Sequence, residues 1–292
     1  MNDGISIIIP CMDRANFLAV TLDGLSKYSE TPLHIIVVNS DPADTPAADN
    51  SDYFINAATG EKDSKYEHIT DLLKARTYPN LRITYVDATK DVQEFRMQLV
   101  AGMAHPENRD PFGGSDIAFK NNLGLAYVDT PWVIPNWDDD FYPDLHWDLH
   151  LLDVAAQYKR NTVFIPRHVQ AFTSAQIDSM EANGQTAFYG QPWFEMTLPG
   201  YVTAAQWAEY CNLHTHDKIV EETPGERTAC HYLPMMYRTD EFLKTIGPYC
   251  YKGSGYELEM DDRCRELGFV KVSTHRSFIL HKGYIPKVKV EL

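Results

Sequence analysis

Short apolar runs and segments of helical spacing alternate along the first half of the chain. The runs Ile5–Ile9 and Leu33–Val38 are rich in β-branched residues, which predicts buried parallel strands, and Leu81–Val86 predicts a third strand. Leu18 and Leu22, between the first two runs, recur at the helical period and predict a helix. This strand–helix–strand order predicts a parallel α/β sheet, in which ligands bind at the carboxyl ends of the strands.

The periodic pattern continues through the middle of the chain. Helical spacing predicts helices over residues 91–104 and 116–127, and the apolar run Pro131–Pro135 after them predicts a short buried strand. A further helix is expected after residue 143, with Asp144 as its N-cap. The predicted buried face of that helix is Leu145, Leu149, Leu152 and Ala156.

Three adjacent carboxylates follow the predicted strand Pro131–Pro135, namely Asp138, Asp139 and Asp140. Buried carboxylates need a compensating cation, because burial disfavours their charge and neighbouring carboxylates repel each other. In an extended segment Asp138 and Asp140 point to the same side, so the pair can share one divalent ion. Oxygen ligands favour Mg²⁺ or Mn²⁺. The alternative is a solvated acidic turn; the strand before the triplet favours the metal site.

Composition narrows the classes of protein that the chain can represent. A chain of 292 residues can bury a large core, and its net charge of −15 argues against broad binding to nucleic acid or an anionic membrane. The five cysteines have no Cys-x-x-Cys spacing, which favours reduced thiols and a cytoplasmic location. No apolar stretch approaches the length of a membrane span, so none is expected.

Four motifs stand in order along the chain. They are Ser6–Arg14, Ile35–Asp41, Asn121–Gly124 followed by Asp138–Asp140, and Met236–Gly268. Their order and spacing resemble the family-two glycosyltransferases. The resemblance implies a GT-A (Rossmann-like) α/β fold, with a mixed, mainly parallel sheet flanked by helices and an acceptor-side extension. The chain departs from the family motifs at Cys11, Asn39 and Asn121, where the family often has Thr, Asp and Arg.

The resemblance also implies a division of labour within a single catalytic domain, residues 1–292. Residues 1–140 would bind the nucleotide sugar and residues 141–292 the acceptor. The implied nucleotide-sugar ligands are Pro10, Cys11, Asp13, Arg14, Asn39, Asp41, Lys120, Asn121, Asp138 and Asp139, with Lys120 substituting for the missing Arg of the middle helix. The implied metal ligands are Asp138, Asp140 and His281.

The catalytic base is expected in the acidic segment that precedes Arg263 and Gly268. Counting back from these two residues places Glu257 at the base position of the family, and Asp261 lies one helical turn away on the same face. The alternative is a solvated helix surface. In that case the carboxylates Glu259, Asp261 and Asp262 would pair with Arg263, Arg265 and Lys252.

The resemblance therefore implies a metal-dependent hexosyl- or pentosyltransferase that moves a sugar from a nucleotide sugar, expected to be a UDP-sugar, to an acceptor hydroxyl with inversion. One alternative is a nucleotidyltransferase, although residues 10–16 lack the glycines of its usual phosphate loop. Another is a catalytically silent module that binds a sugar or nucleotide. The acceptor remains open among a glycan, a small molecule, a protein and a modified nucleic acid.

Overall fold

The fold consists of two β-sheets with helices packed against them. The computed structural model describes residues 4–40, 66, 68–101, 113–138, 140–142, 146–172, 194–199, 219–221, 234–250 and 256–282. The strands are β1 (Ile5–Cys11), β2 (Leu33–Asn39), β3 (Leu81–Asp87), β4 (Trp132–Pro135), β5 (Asp140–Phe141), β6 (Thr162–Phe172), β7 (Phe194–Pro199), β8 (Ile219–Glu221), β9 (Tyr237–Arg238) and β10 (Val270–Lys282).

The helices alternate with the strands in the first half of the chain and flank the second sheet later. They are α1 (Ala15–Tyr28), α2 (Ile69–Ala75), α3 (Thr89–Ala101), α4 (Gly113–Leu125), α5 (Trp147–Ala155), α6 (Thr239–Glu241) and α7 (Tyr256–Glu266). A π-helical turn, Phe242–Ile246, continues α6. Within the described segments, no helix has the length and apolar character needed to cross a membrane.

The first sheet has the strand order β3-β2-β1-β4-β9. Neighbouring strands from β3 to β4 run parallel, whereas β9 runs antiparallel to β4. The chain builds outward from β1 to β3 and then returns to the other side of β1 with β4. This reversal is the switch point of a doubly wound sheet, where the carboxyl ends of β1 and β4 leave a crevice between diverging connections.

Apolar residues cover both faces of this sheet, as the continuous runs in the sequence predict. Ile7 and Ile9 of β1 face the core cluster that contains Leu18 and Leu22 of α1. Ile8 belongs to the opposite cluster, with residues of α4 and α7. The helix α4 approaches β1 so closely that a Cβ atom at Gly124 would lie 2.4 Å from Cγ2 of Ile8. The glycine of this motif is therefore required by helix–strand packing.

The strands predicted from the apolar runs are confirmed, and β1 extends further than predicted. It continues through Pro10 to Cys11, pairing with β2 as far as Asn39. Proline lacks the backbone N–H that an interior strand needs. It is tolerated here because β4 pairs with β1 only as far as Ile8, so position 10 has a strand neighbour on one side only.

The second sheet has the order β5-β10-β6-β7, with β8 also pairing to β10. Its longest strand, β10, runs parallel to β6 and antiparallel to β5 and β8. Its register with β6 shifts between Thr274 and Phe278. Because β5 begins at Asp140, the last of the three acidic residues, the chain passes from β4 of the first sheet into the second sheet at the predicted site.

The predicted buried face and N-cap of α5 are wrong. The helix begins at Trp147 after a left-handed residue, His146, and buries Trp147, Asp148 and Leu151. Leu149, predicted to be buried, is 40% exposed. The cause is a polar contact: the carboxylate of Asp148 accepts the backbone N–H groups at positions 30 and 31, at 2.9 and 2.5 Å, which turns its side of the helix inward.

Candidate functional site

The acidic residues lie in a buried turn between β4 and β5. The sequence predicted an extended segment, but Asp138 lies in a turn and Asp140 opens a new strand. Asn136 supports this turn, since its amide donates to the carbonyl of Trp137 at 2.7 Å. Asp138 is 1% exposed and Asp140 is fully buried. Two carboxylates are thus held in the interior, as the metal hypothesis requires; Asp139 lies outside the described residues.

Thr21 of α1 fixes the backbone of this turn. Its hydroxyl lies 2.9 Å from the carbonyl oxygen of Asp138 and 3.1 Å from that of Asp140. The phenol of Tyr142 donates to the Asn136 side chain at 2.6 Å, and burial raises the pKa of this phenol well above its ordinary value. The acidic turn is therefore held from both sides by buried hydroxyl groups.

Arg14 spans the crevice between the ends of β1 and β4. Its guanidinium contacts both carboxylate oxygens of Asp138, with the Nε atom 2.8 Å from Oδ2. The Arg14 side chain is 30% exposed, while the carboxylate it pairs with is buried. It also lies over the ring of Phe17, 4.9 Å from the centroid. The crevice therefore carries a cation that solvent can reach, backed by a buried anion.

Asp13 and Asn39 hold the loop after β1 in place. Asp13 has a positive φ of 55°, and its backbone N–H donates to the Asn39 side chain at 2.8 Å. Its carboxylate accepts the backbone N–H of Ile69 at 3.0 Å, at the N-terminus of α2, and contacts His68. An aspartate at position 39 would place two carboxylates together, which explains why the chain has Asn39 there.

Lys120 lies beneath the loop rather than in the crevice. It is 1% exposed, and its Nζ donates to the backbone carbonyl of Cys11 at 2.6 Å. Burial lowers the pKa of Lys120 to about 8, although the Asp116 and Asp138 carboxylates oppose this shift. Burial also raises the pKa of the Cys11 thiol well above its ordinary value. Within the described structure, Lys120 thus supports the backbone at the start of the loop that follows β1.

Asn121, at the position of the usual Arg, is also buried. Its side-chain oxygen has no hydrogen-bond partner in the described part of the chain. A buried amide oxygen without a partner carries a desolvation cost of about 1–3 kcal/mol, which a hydrogen-bond donor of a ligand would relieve.

Two other predicted nucleotide-sugar ligands remain. Pro10 belongs to β1, and Asp41 lies outside the described residues.

The carboxylates of α7 differ in their surroundings. Asp261 is 3% exposed and forms a buried ion pair with Lys271 of β10. Glu259 pairs with Arg263 at 3.0 Å, and Asp262 with Arg265 at 2.6 Å. The last two pairs match the surface-helix alternative; the partner of Asp261 lies on a different element.

Glu257 stands in the first turn of α7, and its side chain lies outside the description. Because no contact of the Glu257 side chain is described, its assignment as the catalytic base stays a prediction. Asp261, the reserve candidate, would have to leave Lys271 before it could accept a proton. Breaking a buried ion pair costs roughly 3–5 kcal/mol.

The residues predicted to bind a divalent ion fit it in donor type. Asp138 and Asp140 provide buried oxygen atoms, and Asp140 is the register partner of His281 across the antiparallel β5–β10 pair. Directly opposed positions in such a pair are near neighbours. Among the side chains described, no three or more His, Cys, Asp or Glu residues are close enough together to bind a metal ion. The side chain of His281 is not among those described.

The structure brings together the predicted residues at the strand ends and adds others that the sequence reading did not single out. Arg14 and Asp138 are in contact, as are Asp13 and Asn39, and Lys120 reaches the same loop from below. Thr21 was missed, although a hydroxyl residue among the leucines of α1 is a detectable signal. Asn122, Asn136 and Tyr142 were also missed; only the tertiary fold reveals their contacts.

Comparisons with known proteins support the fold. No family model and no curated protein matches the chain. S. aureus TarS is similar in structure: its 1-349 fragment with UDP-GlcNAc matches at a TM-score of 0.51 and 12% identity, over 97% of this chain and 60% of that one. The same fragment with UDP matches at a TM-score of 0.52 and 12% identity, over 96% of this chain and 60% of that one. A further structure of TarS matches at a TM-score of 0.51 and 12% identity, over 96% of this chain and 37% of that one.

This chain thus spans about 60% of the TarS 1-349 fragment. At this level of identity the likeness concerns the fold. Together with the strand order β3-β2-β1-β4-β9 and the helices on both faces, it confirms the GT-A-like, mainly parallel architecture that the sequence resemblance implies.

Proposed function

We propose that the chain is a glycosyltransferase that moves a sugar from a nucleotide sugar, specifically a UDP-sugar, to an acceptor hydroxyl. The observation that carries this proposal is the pairing of Arg14 with the buried Asp138 across the β1–β4 crevice of a GT-A-like sheet. Such a crevice is the usual ligand position in doubly wound sheets. The likeness to a protein that binds UDP and UDP-GlcNAc lends support.

The diphosphate of the donor would be held at Arg14. A guanidinium binds phosphate oxygens bidentately, and Arg14 is partly exposed, so it can turn from Asp138 to an incoming diphosphate. That movement leaves the buried carboxylate of Asp138 without its cation. Asp138, Asp140 and His281 would then hold Mn²⁺ or Mg²⁺, which neutralises the charge that develops on the leaving diphosphate.

The acceptor half would supply the base. In a single displacement, the acceptor oxygen bonds to the anomeric carbon, the bond from that carbon to the diphosphate oxygen breaks, and Glu257 takes the hydroxyl proton. Attack opposite the leaving group inverts the anomeric centre. Glu257 is favoured over Asp261 because Asp261 is bound to Lys271 in the interior.

The test is a screen of nucleotide sugars with Mn²⁺, in which release of the nucleoside diphosphate is measured with and without EDTA. We expect one donor class to give metal-dependent release, and we expect Asp140→Asn to abolish it while the circular dichroism spectrum stays native. Release of pyrophosphate instead would indicate a nucleotidyltransferase. Binding of a donor without turnover would indicate a binding module, and retained activity in both EDTA and Asp140→Asn would refute the metal assignment.

A further inference from the structure

Asn122 of α4 binds the backbone of Tyr249 with both ends of its amide. Its Oδ1 accepts the Tyr249 N–H at 2.8 Å, and its Nδ2 donates to the Tyr249 carbonyl at 2.9 Å. One side chain thus satisfies both polar groups of a single residue in an irregular segment. This contact fixes the position of the backbone along the helix as well as its distance from it.

The same segment is held from the other side by α7. Arg263 donates through Nη1 to the carbonyl of Ile246 at 2.8 Å and to that of Pro248 at 2.7 Å. Gly247 between them has a positive φ of 78°, which glycine adopts without strain. Residues 246–249 therefore lie between Asn122 on α4 and Arg263 on α7, and they connect the two helices.

Asn122 is close in sequence to a residue that supports the loop after β1, which the proposed function assigns to the nucleotide and which we call the nucleotide loop. Lys120, two positions earlier on α4, donates to the carbonyl of Cys11 at the end of β1. One helix thus contacts the nucleotide loop through Lys120 and the segment before α7 through Asn122. Both contacts are therefore carried by α4, which is packed closely on β1 at Gly124.

We infer that Asn122 is a positioning residue, which fixes α7 and the base that it carries relative to the bound donor. The inference rests on the proposed function. A misplacement of about 1 Å can reduce turnover by about 10²-fold, and a displaced base reduces turnover while leaving donor binding intact. Asn122 has no place among the proposed donor ligands, so its loss should separate these two quantities.

The test compares Asn122→Ala and Asn122→Asp with wild type. We expect kcat to fall roughly 10- to 100-fold in Asn122→Ala, with donor affinity within about twofold of wild type. Hydrogen exchange of residues 246–250 should rise above that of the remaining protein. Asn122→Asp keeps the acceptor for the Tyr249 N–H but loses the donor, and it should lower kcat and raise the exchange of residues 246–250, as Asn122→Ala does. The control is Asn80→Ala, which removes an exposed asparagine bonded to Ser26.

Equal kcat and equal exchange in Asn122→Ala and Asn80→Ala would overturn the inference. A loss of donor affinity that parallels the loss of kcat would also overturn it, because Asn122 would then act on the nucleotide loop. If wild type turns over no nucleotide sugar, the proposed function fails instead. Hydrogen exchange at residues 246–250 then still decides whether Asn122 holds the segment, because that readout needs no substrate.

Discussion

At the scale of single residues, the proposed donor site is built on the contact between Arg14 and Asp138. The guanidinium pairs with a carboxylate that is almost completely buried, so both groups have a partner before any ligand arrives. Under the proposed function, a diphosphate would compete with Asp138 for Arg14, and a divalent ion would compete with Arg14 for Asp138. The two ligands should therefore favour each other, since each removes the competitor of the other.

Replacing Arg14 separates these effects. In Arg14→Gln we expect weaker UDP binding by about 10- to 100-fold, because a charge-assisted hydrogen bond contributes roughly 1.5–3 kcal/mol. Without nucleotide, the same variant should bind Mn²⁺ more tightly than wild type does. Isothermal titration with each ligand measures both. Arg82→Gln is the matched control, since Arg82 pairs with Asp129 away from the crevice; weaker Mn²⁺ binding in Arg14→Gln would contradict the competition.

Lys120 gives a prediction about pH. Burial lowers its pKa to about 8 from an ordinary value of 10.5. Between these values the unfolded chain holds a proton that the folded protein has released, so the Lys120 contribution to folding stability rises with pH. The carboxylates of Asp116 and Asp138 limit the shift and Arg96 adds to it. The buried Cys11 thiol acts oppositely above about pH 9, since only the unfolded chain ionises there.

The measurement is the unfolding free energy of wild type and Lys120→Met in urea between pH 7 and 10. The unfolding free energy of wild type should rise relative to that of Lys120→Met by up to about 1.4 kcal/mol for each pH unit above pH 8. Because Cys11 is present in both proteins, its contribution largely cancels. A difference that stays constant across this range would mean that Lys120 keeps its ordinary pKa in the folded protein.

At the scale of elements, α7 determines which substitutions can test the base. Glu257→Gln should reduce turnover about 10²- to 10⁴-fold with little change in donor affinity, because it removes the proton acceptor and keeps the shape. Asp261→Asn is unsuitable as a neutral control, since it leaves Lys271 buried without its anion and should cost roughly 3–5 kcal/mol of stability. Glu259→Gln, which loses a partly exposed pair with Arg263, is the matched control.

Steady-state kinetics and thermal unfolding decide between the candidates. Glu257→Gln should lose turnover with an unchanged melting temperature, while Asp261→Asn should melt earlier. If Glu259→Gln shows the large loss of turnover and Glu257→Gln does not, the assigned register of α7 is wrong by two residues.

The elements also show which parts of the structure a sequence can reveal. The strands β1 and β2 could be predicted because each is a β-branched run that is buried along its whole length. The edge strand β3 is only partly buried, but it could be recognised from the same residue types. Two ion pairs of α7 could be proposed because they join residues three and four apart on one helix. The pair of Asp261 with Lys271 could not, since it depends on how α7 lies against β10. The prediction of the buried face of α5 was wrong for the same reason, because Asp148 is held in the interior by hydrogen bonds from the backbone N–H groups of residues 30 and 31.

At the scale of the whole molecule, charge and site geometry oppose each other. The chain carries a net charge of −15, which repels anions in general. A diphosphate can therefore bind tightly only where local cations exceed this background. In the described structure the partly exposed Arg14 lies in the crevice and Lys120 lies behind it. Under the proposed function, a divalent ion held at the acidic turn would add further positive charge. Anion binding by this protein should thus depend on the nucleoside and on the metal together.

Thermal unfolding tests this expectation on the intact protein. UDP at about 100 times its Kd should add about 2.7 kcal/mol of stability and raise the melting temperature by roughly 5 °C, and Mn²⁺ should increase this shift further. Uridine lacks the diphosphate and inorganic pyrophosphate lacks the nucleoside, so each alone should produce a much smaller shift at the same concentration. In Asp140→Asn, the part of the UDP shift that requires Mn²⁺ should disappear. Equal shifts from UDP and uridine would place the diphosphate away from Arg14, and a shift from pyrophosphate as large as that from UDP would mean that the crevice recognises the anion without the nucleoside.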